Sequence, residues 1–252
     1  MPLALHIVAL ISLALAIVCA IWIAQDERKR PQHMWIMNLV WPLCALFGSV
    51  LVLGFYLSVG RAPLKTEQHH DHHGHQHDHG HDHGHDHGHN MSGPTMKTVA
   101  KGALHCGSGC TLGDIIAEWL AFFLPAVAVA FGWQWIFAEK IFAVWVLDFV
   151  LAFGFGVAFQ YFAIKPMRDI SRGEALKEAV KADAASLTSW QIGMYGFMAI
   201  AHFWLFPQVL GTELRTNSVE FWFVMQIAML CGFVTAFPVN WWLIRIGVKE
   251  AM

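Results

Sequence analysis

A run of histidines is the first group of residues in this chain that could do chemistry. Neutral imidazole beside carboxylate suits zinc, nickel, cobalt and copper(II), and glycine lets such a strip wrap around an ion. A loose array of this kind predicts capture or buffering of metal ions rather than a catalytic centre. The alternative interpretation of the histidine run is a low-complexity linker that binds metal only incidentally. Twelve histidines lie between Gln68 and Asn90, separated mostly by aspartate and glycine: His69, His70, His72, His73, His75, His77, His79, His81, His83, His85, His87 and His89.

The second group lies in the sequence HCGSGCTLGDIIAEW, which offers an imidazole and two thiols at His105, Cys106 and Cys110. The Gly-Ser-Gly segment predicts a turn, with Thr111 and Asp114 capping a helix that starts directly after it. Cys110 would then lie just outside the helix N-terminus, where the helix dipole favours the metal-binding thiolate. Asp114 and Glu118 follow at spacings of four on the same face, and acids inside a membrane span must pair, protonate or bind a cation. The alternative makes Asp114 a cap, Glu118 an interfacial residue and the cysteines a disulfide.

The third group consists of methionines at helical spacing near the C-terminal end of the chain. Met194, Met198 and His202 recur every four residues, and Met225 and Met229 repeat the pattern further on. Thioethers are soft ligands that suit copper(I). Methionine at this spacing also fills helix-packing interfaces, so the pattern leaves both roles open, and the intramembrane His202 favours the ligand role.

Asp148 is a further acid inside an apolar run. It could relay a proton or an ion, or make a polar contact with another span, and the candidate partners are Gln160, Gln191 and Asn240. Gly154 and Ala158, four residues apart on the same run, predict close helix packing.

The elements that must position these residues are membrane-spanning helices. Of the 252 residues, 56% are hydrophobic and 13% are charged, which is too apolar for a soluble domain. Because isolated segments in a bilayer satisfy their backbone groups as helices, we expect an all-α membrane protein with six transmembrane helices. The predicted spans are about Leu3–Ala24, Asn38–Val59, Gly113–Phe137, Lys140–Ile164, Thr188–Leu210 and Val219–Ile244.

Loops divide these spans into three parts. We expect a two-helix membrane part over residues 1–60, a disordered histidine-rich loop over 61–104, and a four-helix membrane domain over 105–252. In the loop after the fourth span, Ser171 precedes Glu174 by three residues. That spacing predicts a capping box and a short helix on the membrane surface.

The distribution of lysine and arginine predicts the orientation. With six spans, eleven of these residues fall on the side of the two termini and five on the other side. This excess predicts that both termini and the histidine-rich loop face the cytoplasm of a bacterial inner membrane. Cytoplasmic cysteines are expected to be reduced.

Five sequence segments resemble a family of bacterial membrane proteins known as domain of unknown function 4396. They are MWIMNLVWPLCALFG, HCGSGCTLGDIIAEW, FGFGVAFQYFAIKPM, KADAASLTSWQIGMYGFM and FWFVMQIAMLCGFVTAFPVNWWLIRIGVKEAM. The resemblance covers the second to sixth predicted spans. It implies a shared membrane fold, and because some members carry the label "copper oxidase", it implies a link to copper.

These patterns together predict a membrane protein of transition-metal homeostasis rather than an enzyme. The histidine-rich loop would gather ions, the cysteine motif would pass them on, and the acids and methionines would line a path. Copper is the favoured metal, and zinc, nickel and cobalt are the alternatives. The other candidates are a membrane-bound copper or haem oxidoreductase and an accessory factor for a respiratory complex. The expected partners are the bilayer, metal ions, and a metallochaperone or respiratory complex, but no nucleic acid. No Gly-x4-Gly-Lys-Ser/Thr motif is present, so ATP-driven pumping is not expected.

Overall fold

The computed structural model describes residues 2–32, 34–63, 95–167 and 170–249, and the described residues are helical, as the sequence predicts. The predicted histidine-rich loop lies largely outside them. The helices are α1 (Leu3–Lys29), α2 (Met37–Phe55, continued by a π-helical turn, Tyr56–Gly60), α3 (Met96–Phe123), α4 (Pro125–Ala130), α5 (Lys140–Met167), α6 (Arg172–Ile200, continued by π-helical Ala201–Val209) and α7 (Val219–Arg245).

Four helical stretches are long and apolar enough to cross a membrane: Leu3–Lys29, Met37–Gly60, Lys140–Pro166 and Val219–Arg245. α3 and α6 are equally long but carry more polar residues, including the thiols and acids of α3 and the charged first half of α6. The chain is therefore an all-α membrane protein by length and composition of its helices.

α2 is not a straight helix, because its backbone reverses at Ser49. Ser49 has φ 45° and ψ −123°, which is not a helical conformation. The rings of Trp41 and Tyr56 lie 5.5 Å apart, and Trp41 also packs against Gly60. A straight helix would separate residues fifteen positions apart by about 22 Å. Residues 37–48 and 50–60 therefore form two antiparallel half-helices, which corrects the prediction of a second full span.

Both ends of this helical hairpin lie beside the C-terminal end of α1. The backbone N–H of Gln32 donates to the side-chain oxygen of Asn38 at 3.0 Å, and the Gln32 side chain donates to the carbonyl of Gly60 at 2.6 Å. Arg61 pairs with Asp26 of α1 at 2.8 Å. The hairpin thus enters the helix bundle and leaves it at the same end.

The tip of the hairpin is held inside the bundle. Phe47 packs edge-on against Trp190 of α6, with 5.6 Å between ring centroids, and Gln226 of α7 donates to the carbonyl of Leu46 at 2.8 Å. Non-helical backbone at membrane depth is tolerated where protein groups satisfy its hydrogen bonds, and Gln226 does this for Leu46.

α1 and α7 run in the same direction. His6 bonds Glu220 at 2.6 Å, and six residues further along both helices Ser12 donates to Gln226 at 2.7 Å. The start of α1 therefore shares one end of the bundle with the start of α7, which we call the His6 end. The start of α1 and the end of α7 lie at opposite ends of the bundle, so the prediction that both termini share one side of the membrane does not fit this arrangement.

The opposite end, which we call the Lys249 end, gathers the starts of α3 and α6 beside the end of α7. Lys249 is buried, lies 3.5 Å from Asp183 of α6 and donates to the carbonyl of Gly102 of α3 at 3.2 Å. At the His6 end, Lys140 at the start of α5 donates to the carbonyl of Ala121 near the end of α3 at 2.8 Å. α3 and α5 are therefore antiparallel.

α3 and α5 approach closely through small residues. A Cβ on Gly109 would lie 2.7 Å from the backbone nitrogen of Gly156, and one on Gly113 would lie 2.7 Å from that of Ala152. Gly154 is exposed, and a Cβ added there would meet no atom within 4 Å. Close packing on α5 is confirmed at Ala152 and Gly156, and the prediction that Gly154 takes part in it was wrong.

The capping box at Ser171 is confirmed. The Ser171 hydroxyl accepts from the Glu174 backbone at 3.2 Å, and the Glu174 carboxylate accepts from the Ser171 backbone at 3.0 Å. These bonds favour the charged carboxylate and hold the pKa of Glu174 below its ordinary value. The helix does not stop at the membrane surface, because α6 continues to Ile200. The predicted short surface helix is the first part of a longer helix.

Candidate functional site

Four chemically active side chains form a stripe along α3. Cys106, Cys110, Asp114 and Glu118 are spaced by four residues, so they lie on one face at successive turns, and all four are buried. α3 begins at Met96, with Thr95 as its N-cap. The predicted helix start after Cys110 was therefore wrong, and both thiols lie inside the helix.

The glycines around the thiols serve helix packing rather than a turn. A Cβ on Gly107 would collide with the Trp190 ring, and one on Gly109 would collide with the backbone of α5. Glycine is otherwise unfavourable in helix interiors, so sequence alone favoured a turn at this point. The partners that explain these glycines lie far away in the chain.

Three reduced thiols meet near the hairpin tip. Cys106 and Cys110 lie one helical turn apart on α3, and all described cysteines are free. Cys44, in the first half of the hairpin, lies near Cys106 and donates to the carbonyl of Leu104 at 3.1 Å. The disulfide alternative does not apply here. Sequence analysis missed Cys44, because its contact with α3 joins residues sixty positions apart in the chain.

His105 lies beside this stripe but faces α5. Its side chain is 0% exposed and packs edge-on against Phe159, with 6.5 Å between ring centroids. Among the described residues neither ring nitrogen has a hydrogen-bond partner of normal geometry. An unpaired buried polar group costs about 1–3 kcal/mol. This imidazole is therefore available for a further bond.

Asp114 on α3 and Asp148 on α5 are both buried in a region where these two helices pack closely. Tyr195 donates to Asp148 Oδ2 at 2.7 Å, and Gln191 approaches the same oxygen at 3.4 Å. The predicted polar contact between Asp148 and Gln191 is confirmed. Gln160 and Asn240 are not its partners, because Asn240 donates to Ser186 and the Gln160 carbonyl is unpaired.

Asp114 lines a cavity of about 290 Å³ that is bordered by α1, the hairpin tip, α3 and α7 and is open on one side. Its walls are mainly apolar and include Phe47, Trp222 and the predicted ligands Met225 and Met229. The structure thus brings one acid of the α3 stripe and two thioethers to the same cavity.

Glu118 lines a second cavity, of about 350 Å³, at the His6 end. Thr216 donates to Glu118 Oε2 at 2.9 Å, and Lys140 and Arg215 contribute positive charge to the same walls. Neighbouring acids on one face of α3 therefore reach two different cavities.

Met194 and Met198 are buried in the main core, whereas His202 is half-buried and lines the cavity of Glu118. The helix widens to π geometry at Ala201, between Met198 and His202. The expected stripe of three ligands along a regular helix is therefore interrupted before its histidine.

Residues 95–249 match the model of a family described as Domain of unknown function (DUF4396). The chain belongs to this family. The DUF4396 region starts at the N-cap of α3 and comprises α3 to α7, including the stripe and Asp148. The resemblance to this family is confirmed over that region. No curated protein and no solved structure matches the chain significantly.

The DUF4396 region has its buried thiols and carboxyls in series along α3 rather than at one point. Within the described ranges, no three His, Cys, Asp or Glu side chains converge in a group that could hold a metal ion. The twelve histidines of the tract lie outside those ranges. The arrangement presents thiols, then carboxyls, one helical turn apart along the bundle.

Proposed function

We propose that this protein carries a transition-metal ion, with copper(I) favoured, across the cytoplasmic membrane of a bacterium. The observation that carries the proposal is the buried stripe of Cys106, Cys110, Asp114 and Glu118 along α3. Buried polar and ionisable groups in a membrane protein are costly and mark paths for ions or protons. A series of partial ligand sets suits an ion that moves on rather than one that stays.

The proposed topology has five membrane crossings and one re-entrant hairpin. α1, α3, α5, α6 and α7 cross, and α2 enters and returns at the Lys249 end. Twelve of the fourteen described lysines and arginines then lie at the Lys249 end: Arg28, Lys29, Arg30, Arg61, Lys97, Lys101, Lys165, Arg172, Lys177, Lys181, Arg245 and Lys249. Lys140 and Arg215 lie at the His6 end. This asymmetry assigns the Lys249 end to the cytoplasm and the N-terminus to the opposite side.

The histidine tract falls in the chain between Pro63 and Thr95. Arg61 and the start of α3 both lie at the Lys249 end, so we place the entry of the path there. The tract gathers ions near this end, and Cys106 is the first thiol of the stripe that an ion would meet. Asp114 and Glu118 follow towards the His6 end.

Copper(I) is the favoured cargo because of the ligand types along the path. Thiols at Cys44, Cys106 and Cys110 are followed by the thioethers of Met225 and Met229 on the cavity wall. Soft sulfur ligands select copper(I), whereas zinc gains little from thioethers. Zinc, nickel and cobalt remain the alternatives that the histidine tract would also bind.

The test is metal movement in liposomes that contain the purified protein and a copper(I)-sensitive dye. The wild type should move copper(I) inward or outward down an imposed gradient, and the Cys110→Ser variant should not. Cys19→Ser is the matched control, because Cys19 lies on α1, outside the stripe. Equal rates for the wild type, Cys110→Ser and protein-free liposomes would overturn the proposal.

A further inference from the structure

A second group of buried polar side chains lies at the Lys249 end, outside the stripe of α3. Lys249 follows the end of α7, Asp183 lies on α6 and Asn240 on α7, and they are 2%, 0% and 0% exposed. Lys249 Nζ lies 3.5 Å from Asp183 Oδ1 and donates to the carbonyl of Gly102 of α3 at 3.2 Å. Three helices therefore meet around one ammonium group.

The oxygen acceptors of this group are not all satisfied. Both carboxylate oxygens of Asp183 and the amide oxygen of Asn240 have no hydrogen-bond partner among the described residues. The contact between Lys249 and Asp183 is long, because charge-assisted N–H···O bonds measure about 2.7–2.9 Å. Buried polar groups in native proteins are nearly always paired, so these oxygens indicate that a further group binds here.

The Asn240 oxygen borders the same space as the Lys249 side chain. The Asn240 amide nitrogen donates to Ser186 Oγ at 2.7 Å and to the carbonyl of Ala236 at 2.9 Å, which fixes the side chain. A Cβ added to Gly102 would lie 3.7 Å from Asn240 Oδ1 and 3.7 Å from Lys249 Cε. The absence of a side chain at Gly102 therefore leaves room that the oxygen and the lysine stem share.

The type and charge of these ligands favour a hard monovalent cation. Carboxylate and carbonyl oxygens suit hard ions, whereas copper(I) prefers sulfur. Asp183 supplies one negative charge, which Lys249 balances with one positive charge. A monovalent ion in place of the ammonium keeps this balance, and a divalent ion would bury an uncompensated charge.

Lys249 can leave the group without unfolding a helix. α7 ends at Arg245, and Gly247 follows with φ 72°, a conformation that favours glycine. The backbone N–H groups of Val248 and Lys249 donate back to the carbonyl of Leu243 on α7. The Lys249 side chain, by contrast, bonds to α3 and pairs with α6. Its release would free the segment after Arg245 from those two helices.

We propose that Asp183, Asn240 and the Gly102 carbonyl form a binding site for an alkali-metal cation, and that the Lys249 ammonium occupies this site in the present conformation. The ion and the ammonium compete for the same oxygens, so binding of the ion releases Lys249 and the return of Lys249 expels the ion. The Gly102 carbonyl lies one helical turn before Cys106 on α3. This cation site is separate from copper carriage and does not depend on it.

The experiment measures how alkali ions stabilise the full chain once the competing ammonium is removed. Lys249→Met keeps most of the length of the stem and deletes its charge. Unfolding by a denaturing detergent is followed by tryptophan fluorescence in NaCl, KCl and choline chloride at equal ionic strength. An ion that binds only the folded protein raises the folding equilibrium constant about tenfold for each tenfold rise in its concentration above the dissociation constant. Lys249→Met should respond in this way to Na⁺ or K⁺ but not to choline, and the wild type should respond less because Lys249 competes.

Lys181→Met is the matched control, because Lys181 is an exposed lysine two residues before Asp183 on α6. The control should respond as the wild type does. Asp183→Asn added to Lys249→Met should abolish the response, since asparagine keeps the shape of the side chain and removes its charge. A response of Lys249→Met no larger than that of Lys181→Met, or one that survives Asp183→Asn, would overturn the proposal.

The folding of the lysine variants is itself a measurement of the site. Loss of the ammonium leaves Asp183 without its balancing charge, and breaking a buried ion pair is strongly destabilising. Folded Lys249→Met recovered in NaCl or KCl but not in choline chloride would support the site. Lys249→Gln, which keeps a hydrogen-bond donor beside Asp183, should show the same dependence on the alkali ion. Failure of both variants to fold in all three salts would overturn the proposal, because the ion should replace the missing charge.

Discussion

Replacing Gly113 by valine should weaken the packing of α3 against α5. A Cβ at Gly113 would lie 2.7 Å from the backbone nitrogen and 2.8 Å from the Cα of Ala152. Both are backbone atoms, so no side-chain rotation can make room. The two helices must therefore separate next to Asp114, which directly follows Gly113.

The cost follows from the geometry. Overpacking a well-packed interface costs about 1–3 kcal/mol, and three added carbons against backbone place this change near the upper limit. Valine has only a slightly better helix propensity than glycine, so this gain offsets only about a few tenths of a kcal/mol of the overpacking cost. We expect a loss of roughly 2–3 kcal/mol, which lowers the folding equilibrium constant on the order of 100-fold.

The assay is reversible unfolding of the purified protein by a denaturing detergent, followed by its tryptophan fluorescence. Gly154→Val is the matched control on α5, because nothing lies within 4 Å of a Cβ at Gly154. That variant should stay within about 0.5 kcal/mol of the wild type. Equal losses for both variants, or no loss for Gly113→Val, would refute the packing of α3 on α5 through Gly113.

Three further predictions test other parts of the account. A reporter active only outside the cytoplasm should be active when fused before α1 and silent when fused after Met252, because α1 starts and α7 ends at opposite ends of the bundle. Equal reporter activity of the two fusions would contradict this topology. Deleting residues 68–90 should lower the number of ions bound per chain and leave thermal stability unchanged, and loss of folded protein would reveal a structural role. Changing Met194 and Met198 to leucine should lower the free energy of unfolding by under about 1.5 kcal/mol per site, since side-chain volume and apolarity are kept. If copper movement also stays normal in that folded variant, these methionines serve packing alone.

Local patterns were sufficient to predict α1, α5 and α7. Long apolar runs between charged ends define these helices. The observed bounds agree with the predicted spans to within a few residues, except that α1 extends beyond its predicted end at Ala24 to Lys29. The Ser171–Glu174 box was equally predictable, because a capping box depends only on residues three apart. The contact of Asp148 with Gln191 followed from the need of a buried acid for a partner.

Features that depend on distant partners were not predictable from local patterns. Ser49 follows Gly48 in an otherwise apolar run. A Gly-Ser pair permits a kink in a helix but does not distinguish a full reversal from a straight span. The Gly-Ser-Gly segment before Cys110 has the composition of a turn, and only Trp190 and the α5 backbone explain its place in a helix. Neither the apolar runs nor the charge distribution predicted the direction of α1 relative to α7. Without the reversal at Ser49, the lysine and arginine count separated Arg28, Lys29 and Arg30 from Lys249, whereas the structure has the end of α1 and the end of α7 at the same end of the bundle.

The measurement that tests the central claim most directly is copper(I) binding by the chain lacking residues 68–90. Deletion removes the loose histidine ligands, so the remaining affinity reports the thiols of α3. We predict one tight copper(I) site that disappears in the Cys106→Ser, Cys110→Ser double variant, because hydroxyls are poor ligands for soft ions. A folded double variant that still binds copper(I) as tightly as its parent would contradict the account.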